Sequence, residues 1–247
     1  MKYTTPAVLL LSLFIAGFSS CSVATSIQLD DPVSGSVDTR VTMDPLLRQY
    51  LGDLAEIQGP RVDDDASFFD TAALTAGFSA AEGISLTGIV LEAPETLRIL
   101  AQFPDIQRIF PEDISTRGNS VFHFQRSGNT GTLSIRVDAR NVASILEMVP
   151  FGSDPVSQTI TGVFQSGGDE EELKEMLVWT FEEYASAETI EKMIDSAAIL
   201  LRIQVPGRIQ NVDGGIRLSE NTAEFSIPLL RFMSLNPPLE YAVRYSL

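Results

Sequence analysis

One cysteine, one histidine and one tryptophan occur in 247 residues, and each scarcity closes off a class of function. A lone Cys21 permits no disulfide within the chain, so the staple common in exported domains is missing and stability has to come from burial. A lone His123 leaves a zinc site without a second imidazole. A Ser-His-Asp triad would have to use that same residue, yet no G-x-S-x-G elbow frames any serine. No Walker A or G-x-G-x-x-G loop is present. Lysine is nearly absent too: Lys2, Lys174 and Lys192 are the only three among 17 cationic side chains, against 33 acidic ones. A net charge of −16 and a pI near 4.3 exclude nucleic acid as an expected partner, because phosphate binding needs clustered Lys and Arg. Long hydrophobic runs are also missing. The longest, Pro6 to Phe18, has thirteen residues and would cover about 20 Å as a helix, short of the roughly 30 Å of a bilayer core.

What is present at the N-terminus has the layout of an export signal: Met1-Lys2-Tyr3-Thr4-Thr5 with one positive charge, the apolar run, then small residues before the thiol. The stretch "GFSSC" at 17–21 resembles the lipobox of bacterial lipoproteins, with Phe18 where leucine is commonest, a looser form tolerated in spirochaetes. The resemblance implies cleavage between Ser20 and Cys21, with a diacylglycerol on the Cys21 sulfur. The alternative is an ordinary signal peptide cut near Ala24, with Cys21 discarded. Each buried methylene contributes about 0.8 kcal/mol, so two or three acyl chains anchor stably where one is marginal. Ser22 at the second mature position favours the outer over the inner membrane under the enterobacterial sorting rule. The expected location is the bacterial envelope, with the domain outside the cytoplasm.

The expected organisation is a signal peptide at 1–20, a lipidated N-terminus and flexible tether at 21–42, and one domain at 43–247. That domain has candidate sub-modules at 43–150 and 151–247. The tether expectation comes from "SVATSIQLDDPVSGSVDTRVT", which is rich in Ser, Asp and Val. Leu46, Leu47, Tyr50, Leu51, Leu54 and Ile57 recur at three and four, behind Asp44 and Pro45, and predict an amphipathic helix. "GISLTGIVL" with "TLRILAQF", and "SVFHFQ" with "TLSIRV", predict two hairpins. "NVASILEMVP", "DEEELKEMLVWTFEEY" and "AETIEKMIDSA" predict helices, and "ILLRIQV", "GIRLSE", "TAEFSIP" and "LEYAVRYS" predict strands. The fold class is therefore α+β, with antiparallel sheets built from hairpins and amphipathic helices packed on one face.

The two hairpin regions align at an offset of 36, with Thr96/Thr132, Leu97/Leu133, Ile99/Ile135 and Ile109/Ile145 identical. A duplicated module and convergence of any two hairpins both account for that. The acidic stretch "VDDDASFFD" lacks calcium-loop spacing, and "GGDEEELKE" reads as a helix start, so no metal or cofactor is expected. A carboxylate-dependent hydrolase remains the rival of another class; it requires a cleft with two acids, one of them raised in pKa.

From 205 to 246 the chain runs "VPGRIQNVDGGIRLSENTAEFSIPLLRFMSLNPPLEYAVRYS". Through Pro206, Gly207, Asn221, Thr222, Ile227, Pro228, Leu229 and Leu230 it resembles the LppM-like envelope lipoproteins. That resemblance implies an α+β envelope domain that contacts lipid, without catalysis; an expected difference is that no membrane segment follows the closing strand. The function expected is a membrane-anchored, non-enzymatic binding or structural module. Its partner is either a lipid or an envelope protein for which the domain serves as a docking accessory. Val178 and Trp179 widen the apolar arc of their helix, which suits either a slot for an acyl chain or a helix buried between two layers.

Overall fold

Along Ser22–Leu29, Val23, Thr25, Ile27 and Leu29 alternate with Ala24, Ser26 and Gln28, a period of two that places one set on each side of a strand. The computed structural model describes residues 22–58, 69, 71–80, 83–109, 120–142 and 168–247, and this strand, β1, opens it. Its partner β2 (Gly35–Thr42) carries Val37, Thr39 and Val41 on the same side. The hairpin turn between them is held by the Asp31 carboxylate, which accepts from the N–H groups of Val33 (2.9 Å) and Ser34 (2.8 Å) and from the Ser34 hydroxyl (2.6 Å). Gly35 is required where the strands close, since a Cβ there would lie 2.0 Å from the Gln28 carbonyl oxygen.

From Ser22 on, the expected tether at 21–42 is thus a β-hairpin, and it lies in the interior of the larger sheet. The remaining elements are α1 (Pro45–Gln58), α2 (Thr71–Ala80), β3 (Ser85–Ala93), β4 (Thr96–Phe103), a short 3-10 turn (Ile106–Arg108), β5 (Phe122–Ser127) and β6 (Thr130–Val137). They continue as α3 (Glu170–Phe181), α4 (Ala187–Ser196), β7 (Ala198–Gln204), β8 (Ile209–Asp213), β9 (Ile216–Arg217), β10 (Thr222–Pro228), α5 (Leu229–Ser234) and β11 (Leu239–Ser246). Seven strands form one sheet in the order β3-β4-β2-β1-β7-β10-β9, and four form another in the order β5-β6-β11-β8. β1 is the fourth of seven, antiparallel to β2 and parallel to β7. Strands from before residue 150 and after 151 share both sheets, so the two candidate sub-modules do not separate. The α+β class, the hairpins at 85–103 and 122–137, and the helices at 45, 170 and 187 match the expectation; the "NVASILEMVP" helix lies outside the described residues beyond Val142.

The seven-stranded sheet buries one face only. Ile27, Leu29, Ala101, Phe103, Ile203 and Phe225 point from it into the core, where Leu133, Ile135, Val243 and Tyr245 of the four-stranded sheet meet them. Toward the other end of the same face, Leu97 and Ile99 pack with Met43 and Leu74 under α1 and α2. A third cluster, Phe181, Ile190 and Ile194 with Leu46, Tyr50, Val178 and Leu230, ties α1, α3, α4 and α5 together. Each fully buried Leu, Ile or Phe contributes about 1.5–3 kcal/mol.

Helix starts follow the capping rules. Asp169 accepts from the Glu171 N–H and precedes Glu170, Glu171 and Glu172, acids that favour the positive end of the α3 dipole. Ser186 caps α4 through the Thr189 N–H. The residues of the C-terminal resemblance mark crossings of the chain: Gly207 lies in the bend that takes the chain from β7 to β8 in the other sheet, and Pro228 ends β10 where Leu229 begins α5.

Candidate functional site

Ser20 and Cys21, the expected cleavage and lipidation residues, lie outside the described residues. The structure does place the residue that follows them. Ser22 pairs with Thr42, Thr42 pairs with Thr96, and Val23 pairs with Ile199. On the far side of β7, Ala198 pairs with Pro228. The ends of six strands therefore form a row along one edge of the sheet: Ala93, Thr96, Thr42, Ser22, Ala198 and Pro228. Two backbone bonds fasten the row, from the Met43 N–H to the Glu95 carbonyl and from the Leu229 N–H to the Ala197 carbonyl, both 2.9 Å. Pro94 and Glu95 form the tip of the β3–β4 hairpin in this row. Asp44, just behind it, caps α1 by accepting from the Leu46 N–H at 2.8 Å.

The outward face of the same sheet is polar and self-neutralising. Arg40 donates to both carboxylate oxygens of Glu92 (2.8 and 3.0 Å), and Arg98 to both of Asp38 (3.0 and 2.7 Å). The Arg202–Glu224 pair closes at 2.6 Å. Hydrogen bonds from Arg40 hold Glu92 below the usual carboxylate range, and those from Arg98 do the same for Asp38. Burial pushes Asp138 up, but the Arg140 N–H and the Arg136 guanidinium outweigh it and leave that group low. Lys192 lowers Glu188, and the Ser34 contacts lower Asp31. Every described carboxyl with a resolved shift is thus pushed toward the charged form. A general acid of a carboxylate hydrolase requires the reverse.

His123 is exposed on β5, with its Nε2 3.0 Å from Gln125 Nε2 and the Phe122 and Phe124 side chains on the opposite face. No group of three or more His, Cys, Asp or Glu among the described residues is placed to hold a metal ion. Among the described helices none is long and apolar enough to cross a membrane. An open cavity of about 460 Å³ sits at the start of α3, lined by Gly168, Asp169, Glu170, Ser234 and Asn236. Arg231 Nη1 is buried nearby, 3.9 Å from Glu170 Oε1. Two carboxylates on its wall make it a poor seat for an anion or an acyl chain. The apolar arc of α3 splits: Val178 packs with the Phe181–Ile190–Ile194 cluster, whereas Trp179 is 71% exposed and Met176 38%.

Sequence reasoning missed β1 and β2, and with them the row of strand ends. The signal was the strict alternation of Val23, Thr25, Ile27 and Leu29, masked by the Ser and Asp content around it.

The fold defined by these observations is a two-sheet α+β domain whose most N-terminal described strand is its central one. No protein-family model matches the chain, and no curated protein does. Two solved structures resemble it. The folded domain of the LppM protein of Mycobacterium tuberculosis, determined by NMR, has 12% identity and a TM-score of 0.37, with 92% of this chain and 90% of that one covered. Native yeast LTA4 hydrolase has 10% identity and a TM-score of 0.31, covering 92% of this chain but 29% of that one. Both scores are too low for a site to be transferred from either protein.

Proposed function

We propose that this protein is a lipid-anchored component of a bacterial envelope. Residues 1–20 are removed, Cys21 becomes the first residue and carries the diacylglycerol, and the domain works outside the cytoplasm as a non-catalytic binding or structural module. The observation that carries this reading is the position of "GFSSC" immediately before β1: a core strand begins at Ser22, and the apolar run precedes it. The single thiol has no second cysteine to pair with. Two or three acyl chains there suffice for stable attachment. The outer membrane is the proposed location, and lipid the proposed class of ligand.

The test is a Cys21→Ala variant of the full chain, compared with wild type by detergent phase partitioning and by mass spectrometry of the N-terminal peptide. The expected outcome is transfer of the variant to the aqueous phase, and a wild-type peptide that starts at residue 21 with an added diacylglyceryl mass. Equal partitioning, or an unmodified peptide beginning elsewhere, overturns the proposal.

A second reading, a docking accessory for envelope proteins, is favoured by Trp179 and Met176, exposed three residues apart on α3. Exposed tryptophans of this kind anchor protein interfaces. A photocrosslinker at position 179 that recovers one reproducible envelope protein supports it; lipid as the sole crosslinked product removes it.

A further inference from the structure

Lipidation of Cys21 in a protein with a tether would leave the domain free to tumble above the membrane. The structure leaves no residues for such a tether. Ser22 already pairs with Thr42, and from Val23 the strand is paired on both sides, with Val41 of β2 and Ile199 of β7. Consecutive Cα atoms are about 3.8 Å apart, so the lipid-bearing residue sits within one peptide unit of the centre of the sheet edge. Resting on the lipid-anchor reading above, we propose that the row of strand ends at Ser22 is a membrane-facing surface, and that the domain stands end-on against the phospholipid bilayer.

Three observations give that posture physical content. First, the anchor enters inside the edge rather than at a corner, because β1 is the fourth of the six strands that end in the row. β9 pairs only with the far half of β10, so the row holds six strands, and five gaps of about 4.8 Å make the edge roughly 24 Å wide, about 14 Å from the anchor to the β3 corner and about 10 Å to the β10 corner. One residue and its side chain give about 8 Å of play, so the sheet tilts in its own plane by about 30° before the β3 corner meets the headgroups and by about 40° before the β10 corner does. Second, the strand ends themselves, Ser22, Thr42, Ala93, Pro94, Thr96, Ala198 and Pro228, are small and uncharged, with Glu95 at the hairpin tip and Asp44 just behind it, where α1 begins. Third, the opposite turns, which carry Asp30, Asp31, Asp105, Arg108, Arg208 and Glu220, lie a full strand away, about 25 Å for eight residues. The far turns are held in solvent, where a partner can reach them.

The experiment uses the full chain, processed in a lipoprotein-exporting bacterium, purified by detergent partitioning and reconstituted into phosphatidylcholine vesicles. Because lipid blocks the Cys21 sulfur, a single introduced cysteine is labelled uniquely. A fluorophore at Glu95→Cys reports the near edge and one at Asp30→Cys the far turn; Pro228→Cys and Glu220→Cys form an independent pair should either of the first two fail to fold. Quenching by headgroup-attached nitroxides is the readout. The expected result is several-fold stronger quenching at positions 95 and 228 than at 30 and 220. Insertion of about ten Gly-Ser residues between Cys21 and Ser22 should abolish the difference. Equal quenching at both ends in vesicles that carry the protein overturns the orientation alone. Failure of the protein to float with the vesicles overturns the anchor, and the orientation with it.

Discussion

If β1 is structural, Ile27→Ala should destabilise the domain strongly, whereas in a tether it would change nothing. Ile27 is 4% exposed, sits between Val37 of β2 and Ile203 of β7, and belongs to the main core. Truncation removes three carbons, about 2.4 kcal/mol at roughly 0.8 kcal/mol each. In the middle of a paired sheet the neighbours relax little, so a cavity contribution adds to this and places the loss at about 3–4 kcal/mol. With a urea m-value of about 2.5 kcal/mol/M, the unfolding midpoint should fall by about 1.2–1.6 M. The assay is urea denaturation followed by circular dichroism on the chain beginning at residue 21 with Cys21→Ala. Ser26→Ala, one position earlier on the exposed face of the same strand, is the control and should stay within about 0.5 kcal/mol. Equal midpoints for Ile27→Ala and Ser26→Ala would refute the placement of β1 in the core.

Three further outcomes follow from the same geometry. A chain beginning at Met43 lacks two adjacent central strands, and its circular dichroism should show no cooperative melt, in contrast to one beginning at Ser22. Gly207→Ala would put a Cβ 1.7 Å from the Ser246 carbonyl oxygen, backbone against backbone, and should cost about 3 kcal/mol or more in a thermal melt, while Gly52→Ala, with nothing within 4 Å, should be neutral or stabilising. Tyr245 is fully buried, its hydroxyl donates to the Pro32 carbonyl at 3.3 Å, and burial pushes its pKa up to about 12 from 10.0. A raised folded value means stability that is complete below pH 10 and lost as pH rises toward 12, up to about 2.7 kcal/mol for two units. Tyr245→Phe should therefore cost only about 1 kcal/mol at pH 7 and flatten the alkaline decline; an unchanged slope from pH 10 to 12 would count against the assignment.

How the chain was legible can be followed residue by residue. Leu46, Leu47 and Tyr50 on α1, and Ile190, Met193 and Ile194 on α4, show the helical period, and Asp169 and Ser186 stand at the caps where their side chains are needed. Leu97/Leu133 and Ile99/Ile135 of the offset-36 alignment are all buried, one pair of positions in each sheet, because both strands follow a hairpin turn and point the same alternating set inward, Leu97 and Ile99 to the cluster with Met43 and Leu74, Leu133 and Ile135 to the main core. The strand Ile209–Asp213 is masked in the sequence by turn-forming residues, Asn211 within it and Gly214-Gly215 behind it, yet β8 pairs with β11 through Val212 and Val243.

The sequence by itself determined the local matters: helices, most hairpins, the α+β class, the scarcity of catalytic side chains and the lipobox-like "GFSSC". These depend on periodicity and on neighbours a few residues apart. Only the tertiary structure decided that 22–42 is the centre of the sheet, since β1 finds β7 across about 175 positions, from Val23 to Ile199, and nothing local records that pairing. The same alternation of Val, Thr and Ile serves an exposed edge or a buried centre equally well. Which of them it became was settled by the strands that packed on either side.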